Sequence, residues 1–374
     1  MAVVANHRPT KAIVSKGAIR HNIEEEMKRL PKDAQLWAVV KADAYGHGAL
    51  EVAKVAKEAG ATGYCVAYVD EGIALREAGF TEPILVLGVT EPMSTVVLAA
   101  KYHLSLAAPS VDWLERADLA LKEVNESLTV HLAVDSGMGR IGFVYEEEMA
   151  EAKARMSEWT NIEVEGIFTH FATADELDES YFVTQQDRFQ KALAILGEDY
   201  KYIHTCNTAT ALWHEAWHSN VVRFGVGIYG MNPSGSVLPL PYELQPAMRI
   251  ESEIVYVKKQ PKGRSVSYGA TYTSQEEEYI ATLPIGYADG WLRRYSGFSV
   301  LVDGQRAEIV GRVTMDQIMI RLPKYYPVGT KVTLIGKDGE EENTFTQAAD
   351  YIGTINYELT SILGQRLERI YEED

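Results

Sequence analysis

Cysteine, long apolar runs and positive charge are all scarce in this sequence. Its 374 residues contain only two cysteines, Cys65 and Cys206, which are too few for a disulfide framework. No stretch reaches the roughly 18 uninterrupted apolar residues of a membrane span. The N-terminal MAVVANHRPTKAIV lacks the basic start and the apolar run of a secretion signal. We therefore expect reduced thiols and a cytoplasmic location.

The charge balance is acidic, with 36 Lys+Arg against 53 Asp+Glu and a net charge of −17. Such a chain is a poor candidate for non-specific binding to nucleic acids or anionic membranes, so we predict neither partner. Hydrophobic residues make up 46% and charged residues 24%, which are ordinary values for a globular protein. This composition excludes collagen-like, coiled-coil and largely disordered chains.

Strand-like and helix-like runs alternate through the first two thirds of the chain. Nearly continuous apolar runs suit parallel strands that are buried on both faces. Eight such units favour an α/β fold of the (β/α)8 TIM-barrel type over an open doubly wound sheet. No G-x-G-x-x-G follows the first strand, which weakens a dinucleotide-binding interpretation. The predicted strands are 36–41, 61–68, 83–88, 104–107, 128–134, 164–169, 202–205 and 221–224.

The pattern changes after about Pro241. Short strands with close Gly and Pro punctuation follow, the first of them over Ile250–Lys258, and this is typical of an all-β domain. About two domains also agree with the length of the chain. We predict a (β/α)8 barrel over residues 1–241 and a β-rich C-terminal domain over residues 242–374.

A lysine ends the first predicted strand, in AVVKADAYGHG. Lys41 falls on the C-terminal face of the barrel, where active sites lie. Partial desolvation there would lower the pKa of its amine and allow it to form a Schiff base. Taken alone, Lys41 fits a strand-end lysine that reaches solvent better. Tyr45, Gly46 and Gly48 follow at once, however, and suit a close approach of backbone to a ligand.

Three residues after the last two barrel strands fit a phosphate site. Asn207 and Thr208 follow the seventh strand and Gly225 follows the eighth, and barrels commonly bind phosphate at these loops. Backbone N–H groups there can hold a dianion without a cation. An N-cap for Asn207 and Thr208, and a tight turn for Gly225, explain these residues equally well.

Charged and polar residues end the other strands as well. Arg140 follows the fifth strand, His170 ends the sixth and Arg223 ends the eighth. Each one by itself is weak evidence, since each could be a satisfied structural group. Together with Lys41 and Asn207 they fall on one predicted rim, which favours a functional site.

The lysine segment AVVKADAYGHG resembles the cofactor-lysine signature of the alanine racemases, fold-type III pyridoxal-phosphate enzymes. Eight further segments resemble that family's motifs, in its order and over nearly the whole chain: VDSGMGRIGF, THFATAD, HTCNTAT, RFGVGIYG, VSYGATY, PIGYADG, GRVTMDQ and INYEL. The resemblance implies a homodimer that uses pyridoxal 5'-phosphate to interconvert L- and D-alanine for cell-wall synthesis. It also suggests that residues 1–14 join the sheet of the second domain.

The resemblance implies catalytic roles for five residues. Lys41 would bind pyridoxal phosphate as a Schiff base and act as acid or base on one face of the substrate Cα. Tyr268 of the partner subunit would serve the opposite face. His170 would hydrogen-bond that tyrosine and Arg223, and Arg223 would face the pyridine nitrogen and leave it unprotonated. Arg140 would contact the cofactor's phenolic oxygen and the substrate carboxylate.

Other residues would bind the cofactor or the substrate. The backbone N–H of Met315 of the partner subunit would help hold the substrate carboxylate. Tyr287 would line the entrance and restrict side-chain size, and we predict no metal. Mainly neutral donors would bind the phosphate: Tyr45, Asn207, Thr208, Gly225, Val226 and Tyr357.

Two positions depart from the family's pattern. Many members carry a lysine, modified to a carbamate, where this chain has Ala133, and that anion would orient Arg140. Ala133 cannot do so, so Arg140 would need another anion, such as chloride, or would be held less firmly. Thr314 stands where a cysteine is frequent, which should leave the backbone role of Met315 intact but remove reactivity towards thiol reagents.

Three alternatives remain open from the sequence. A broader amino-acid or serine racemase would use the same scaffold, and pocket residues near Tyr287 and Tyr357 would decide between the two. A decarboxylase of the same barrel type would not need Tyr268 as a second base. A non-catalytic vitamin-B6 carrier would have no use for a tyrosine from a partner subunit.

Overall fold

A computed structural model describes residues 3–214 and 219–374 and separates the chain into two compact units. The barrel unit comprises Ile19–Ala44 and the described residues of Ala49–Leu244. The β unit comprises the described residues up to Ala18, Tyr45–Gly48 and Gln245–Asp374. The boundary between residues 241 and 242, and the role given to each domain, stay predictions.

Eight parallel strands form a nearly closed barrel, so the predicted fold class is confirmed. The sheet runs in chain order from the first strand to the seventh, and the eighth pairs back onto the first. The seam between the last two strands has two backbone hydrogen bonds, from Asn220 N–H to the carbonyl of Ile203 and from Arg223 N–H to that of Cys206. Numbered along the whole chain, the barrel strands are β2 (Gln35–Val39), β3 (Gly63–Val66), β4 (Ile84–Val86), β5 (Ser105–Ala108), β6 (Leu128–Ala133), β7 (Ile162–Phe168), β8 (Tyr202–His204) and β9 (Val221–Phe224).

Helices alternate with these strands. One of them, α1 (Lys16–Arg29), was not predicted, because polar Asn22 and Glu26 occupy its buried face and interrupt the apolar period. Asn22 donates to the carbonyl of Ile228, and Glu26 accepts from the Tyr242 hydroxyl. No described helix is long and apolar enough to cross a membrane. The others in this part of the chain are the short turn α2 (Lys41–Tyr45), α3 (Ala49–Glu58), α4 (Val69–Glu77), α5 (Met93–Lys101), α6 (Val111–Val124), α7 (Glu146–Arg155), α8 (Ser180–Leu196) and α9 (Thr208–Trp213).

A ten-stranded mixed sheet dominates the β unit. The strands of this unit are β1 (Lys11–Ser15), β10 (Met248–Glu253), β11 (Tyr256–Gln260), β12 (Ser265–Val266), β13 (Tyr272–Thr273), β14 (Glu278–Leu283), β15 (Ser299–Val302), β16 (Gln305–Ile309), β17 (Ile318–Leu322), β18 (Lys331–Asp338), β19 (Glu341–Asn343) and β20 (Glu368–Glu372). The order of strands in the large sheet is β11-β14-β17-β16-β15-β18-β10-β1-β20, with β19 paired to β18, while β12 and β13 form a separate two-stranded sheet. The helices of the unit are α10 (Phe345–Ile352) and α11 (Asn356–Ser361).

Two features of this sheet differ from a simple succession of short strands. The N-terminal β1 lies between β10 and the C-terminal β20, so both ends of the chain are part of the sheet. The single strand predicted over Ile250–Lys258 is wrong. The strand is interrupted at Ile254 and Val255. The N–H of Ile254 donates to the carbonyl of Thr330, and the N–H of Val255 donates to the carbonyl of Thr282. The apolar run is therefore shared between two strands that pair with different neighbours.

A fully buried carboxylate joins distant segments of the β unit. Asp289 accepts two hydrogen bonds from Arg8, at 2.7 and 2.9 Å, and two from Arg366, at 2.7 and 3.0 Å. The N–H of Gly286 supplies a fifth, at 3.0 Å. Burial alone would raise the pKa of Asp289, but the hydrogen bonds from the two arginines and from Gly286 outweigh it and lower the pKa. Arg366 also binds the exposed Asp316.

We predict that Asp289→Ala destabilises the protein by about 3–5 kcal/mol, because it leaves arginine charges uncompensated in a buried site. Asp316→Ala, which removes an exposed partner of the same arginine, should cost no more than about 1 kcal/mol. Asp289 contributes fully to the free energy of unfolding above its unfolded pKa of about 4, and this contribution is lost as the pH falls through its lower folded pKa. The free energy of unfolding of both variants is measured with urea at neutral and at acidic pH. An equal loss of this free energy in the two variants would contradict the role of Asp289.

Candidate active site

Lys41 lies two residues beyond the end of β2, at the carboxyl end of the barrel strands. Its side chain is partly buried, and it faces Arg140, Glu71 and Cys65. Burial, and then the charge of Arg140, lower the pKa of the Lys41 amine, while Glu71 and Cys65 oppose the shift. A lysine with a lowered pKa supplies a larger fraction of neutral, nucleophilic amine.

The turn that carries Lys41 is left-handed. Ala42, Asp43, Ala44 and Tyr45 all have φ between 52 and 54°, and none of them is a glycine. The left-handed conformation costs roughly 1–2 kcal/mol per ordinary residue. Such conformations persist only where the surrounding structure fixes them, and they cluster at functional sites.

Arg223 occupies the barrel interior with only 3% of its surface exposed. It donates to the carbonyls of Thr169 and His204, at 2.8 and 3.0 Å, and approaches Nδ1 of His170 at 3.5 Å. Nε2 of His170 lies 3.5 Å from the amide nitrogen of Asn207. Burial, then the charges of Arg223, Arg140 and Lys41, hold the pKa of His170 well below its usual range. The structure thus brings two predicted residues, Arg223 and Asn207, to the two ring nitrogens of a third, the neutral His170.

A hydrogen-bonded chain that the sequence did not predict continues from Arg223. Its Nη1 lies 2.7 Å from Nδ1 of His204, whose Nε2 lies 2.7 Å from Nδ1 of His131. Nε2 of His131 lies 3.3 Å from the carboxylate of Glu165. Since arginine only donates, His204 must carry its proton on Nε2 and His131 on Nε2 as well. In the sequence, the two histidines inside otherwise apolar barrel strands were the signal that could have indicated these hydrogen bonds.

The loops after β8 and β9 are hydrogen-bonded to one another. Asn207 caps α9 by accepting from Thr210 N–H, and the Thr208 hydroxyl accepts from Gly225 N–H at 2.8 Å. Val226 opens a single helical turn, Val226–Tyr229, whose first N–H groups have no partner within the turn. A Cβ on Gly227 would lie 2.4 Å from the Phe224 ring, so only glycine fits there.

Arg140 and Ala133 lie near one another in the chain but differ in environment. Ala133 ends β6 and is buried with Ala107 and Phe168, against the partly buried Ile141. Arg140 is exposed, and among the residues that the structure describes its guanidinium has no hydrogen-bond or ion-pair partner. No described side chain therefore takes the place of the anion that the family's pattern supplies.

Tyr268 belongs to the β unit and is 72% exposed. It begins a short turn, Tyr268–Ala270, and both Ser267, which precedes the turn, and Ala270, which ends it, have positive φ, of 64 and 47°. The Ser267 hydroxyl donates to the carbonyl of Arg312. The residue is thus exposed on an unusual backbone, and such strain is typical of functional positions.

The remaining predicted residues also lie in the β unit. Tyr287 lines the same cavity of about 610 Å³ as Tyr268, beside Arg293 and Glu358. Its N–H donates to the carbonyl of Thr314, and Ala288 donates to that of Met315, so the two segments are held side by side. Met315 is 52% exposed.

Tyr45 and Tyr357 face each other within the β unit, with ring centroids 6.3 Å apart. Gly46 and Gly48 have φ of +81 and +95°. A Cβ on Gly46 would lie 2.1 Å from the carbonyl oxygen of Thr360, and a Cβ on Gly48 would lie 1.8 Å from the Tyr371 hydroxyl. Packing inside the β unit accounts for both glycines without any ligand.

Comparisons with known proteins agree over the full length of the chain. The alanine racemase N-terminal domain matches residues 14–233 and the alanine racemase C-terminal domain matches residues 247–371. The chain belongs to the alanine racemase family. An alanine racemase of Pediococcus pentosaceus is 53% identical, over 100% of this chain and 99% of that protein.

Solved structures of the family have the same fold. The crystal structure of alanine racemase from E. faecalis superimposes with a TM-score of 0.96 at 50% identity, over 99% of this chain and 100% of that one. A histidine racemase from Leuconostoc mesenteroides has a TM-score of 0.92 at 34% identity, over 99% and 100%. The scaffold is therefore shared by racemases named for different amino acids.

Proposed function

We propose that this protein interconverts L- and D-alanine in the cytoplasm, with pyridoxal 5'-phosphate as its cofactor, and so supplies D-alanine for cell-wall synthesis. The observation that carries the proposal is a lysine of lowered pKa beside buried Arg223 and neutral His170, in a chain half identical to an alanine racemase over its whole length. Alanine is favoured over histidine because alanine racemases are 50 and 53% identical to this chain, whereas the histidine racemase is 34% identical.

The donors of the barrel unit fit that cofactor. An aldehyde needs a neutral amine, which Lys41 supplies more readily as its pKa is lowered. A phosphate needs converging neutral donors, and Asn207, Thr208, Gly225 and Val226 would bind it together with Tyr45 and Tyr357. Held by these residues, pyridoxal phosphate would supply the electron sink that makes the Cα–H of an amino acid more acidic.

Two proton-transferring groups of different chemistry would serve the two faces of the substrate. Lys41 would move the proton at Nζ, and Tyr268 of the partner subunit would move it at Oη. Nδ1 of neutral His170 lies beside Arg223, which only donates, so the ring would carry its proton on Nε2 and donate it to the oxygen of that phenol. Arg223 holds its protons, so a ring nitrogen facing it would stay unprotonated and the cofactor would be a weaker electron sink. A weaker electron sink would favour return of the proton to Cα over transamination.

A homodimer follows from the same assignment. Tyr268 and Met315 are 72% and 52% exposed on the β unit, which supports their use in a second subunit. The backbone N–H of Met315 of the partner subunit and the guanidinium of Arg140 would bind the substrate carboxylate. Tyr287, beside Tyr268 in one cavity, would limit the size of the side chain.

One experiment tests the reaction as a whole. The protein is incubated with L-alanine in deuterated water, with L-serine and L-histidine in parallel, and chirality and Cα exchange are followed. We expect racemisation of alanine with deuterium incorporation, and much slower turnover of the other two. Release of carbon dioxide would indicate a decarboxylase, and cofactor binding without any reaction would indicate a carrier.

We predict that Lys41→Ala abolishes the visible absorption band expected of pyridoxal phosphate bound to a lysine amine. Lys54→Ala, which removes an exposed lysine from α3, serves as the matched control and should keep the band. Absorption spectra of both variants after addition of the cofactor make the comparison. A band that persists in Lys41→Ala would refute the cofactor assignment.

We predict that Tyr268→Phe lowers turnover of L-alanine by about 10²–10⁴-fold, the usual contribution of a general acid or base. Cofactor absorption should not change, because the ring and its packing remain. Tyr256→Phe removes another exposed phenol from the β unit and should leave kcat unaffected. Full rates in both directions for Tyr268→Phe would show that this tyrosine is not the second base.

We predict that Ala133→Lys raises turnover. Burial with Ala107 and Phe168 would lower the pKa of the new amine, and a neutral amine can take up carbon dioxide to give an anion near Arg140. Ala133→Met, which has similar bulk and no amine, should not gain activity. Kinetics that are unchanged with and without bicarbonate would argue against this role.

A further inference from the structure

Glu71 links two loops at the carboxyl end of the barrel. Its Oε1 accepts the N–H of Ala42, the residue after Lys41, at 2.6 Å. Its Oε2 accepts the N–H groups of Ala67 and Tyr68, at 2.7 and 3.1 Å. One carboxylate therefore joins the loop that begins with Lys41 to the loop between β3 and α4.

These contacts exceed what capping of a helix requires. Tyr68 is the N-cap of α4 and Glu71 is its third residue, so a capping box uses one oxygen on the N-cap N–H. The other oxygen binds Ala42, outside that helix. A glutamine has a single acceptor oxygen and an NH2 group that only donates, so it could not make both contacts.

The hydrogen bond from Ala42 acts where the backbone conformation is least favourable. Ala42 opens the left-handed turn, with φ of 52° and ψ of 50°. Ala44 N–H donates to the carbonyl of Val40 at 2.9 Å, and Ala49 N–H donates to the carboxylate of Asp43 at 2.8 Å. The bond from Ala42 to Glu71, at 2.6 Å, is shorter than both of these, and its acceptor comes from a different loop.

We infer that Glu71 is a positioning residue, which holds Lys41 in place by fixing the left-handed backbone of Ala42. The inference rests on the proposed function only in taking Lys41 as the residue that binds the cofactor. It assigns a role to a glutamate whose carboxylate binds the backbone N–H groups of Ala42, Ala67 and Tyr68.

The charge of Glu71 supports the same role. Burial and Arg140 lower the pKa of Lys41, and Glu71 opposes them together with Cys65. His170 also interacts with Lys41, and it is neutral. Loss of the carboxylate should therefore move the pKa of Lys41 lower, an effect that loss of helix capping alone would not produce.

The test compares Glu71→Gln with Ser110→Ala in the full-length protein with pyridoxal phosphate bound. Ser110 caps α6 in the same unit through Trp113 N–H, so its variant also loses a helix cap. Hydrogen exchange with mass spectrometry is read for the segment Ala42–Tyr45. We expect about tenfold faster exchange in Glu71→Gln, as for loss of a charge-assisted hydrogen bond, and no change there in Ser110→Ala.

Two further measurements separate positioning from stability. In the full chain stripped of cofactor, acylation of Lys41 by acetic anhydride should begin at lower pH in Glu71→Gln than in the wild type. In the loaded enzyme, kcat should fall about ten- to hundredfold, as expected for a small misplacement of a reacting group, with KM nearly unchanged. Ser110→Ala should alter neither.

The outcomes are distinct. Faster exchange confined to residues 67–71, with Lys41 reactivity unchanged, would show that Glu71 only caps α4 and would overturn the inference. Wild-type levels of exchange and reactivity throughout would overturn it as well. If the wild type failed to racemise alanine while exchange and Lys41 reactivity responded as expected, the proposed function would be wrong and the positioning role would stand.

Discussion

Burial of a permanent positive charge is the constraint around which the barrel interior is organised. Arg223 cannot lose its proton and only donates hydrogen bonds, so every neighbour must offer an acceptor. The carbonyl of Thr169 and the ring of His204 do so, which fixes the tautomer of that ring. His204 must then donate from Nε2 to His131, which in turn must donate from its own Nε2 to Glu165, where the series of hydrogen bonds ends. Each tautomer is thus a consequence of the charge at one end.

The same charge shapes the chemistry of the groups beside it. Arg223, Arg140 and Lys41 act together on His170, and burial adds to their effect, so the imidazole stays neutral. Arg140 acts on Lys41 in the same direction. A chain with a net charge of −17 therefore holds a locally cationic site. Net charge reports on the surface, whereas the local arrangement suits an anionic cofactor and a carboxylate substrate.

Sequence patterns predicted the elements whose burial is continuous and missed those where polar residues are buried. β9 (Val221–Phe224) agrees with the prediction to the residue, because all four side chains are buried. Helix α1 was missed because Asn22 and Glu26 stand on its buried face. The position of polar residues such as His170 and Arg223 at the ends of barrel strands could be predicted from residue type. Glu71 could not, because its partner Ala42 lies 29 residues away in the chain.

The lysine segment shows why a motif can be recognised before its parts are understood. Lys41–Ala44 belong to the barrel unit, and Tyr45–Gly48 belong to the β unit. The sequence suggested that Gly46 and Gly48 make room for a ligand, but each packs against an atom of the β unit instead. The segment therefore combines a lysine proposed to react, a left-handed turn and two glycines that packing requires. A motif match does not distinguish these three roles, which become clear only from the contacts of each residue.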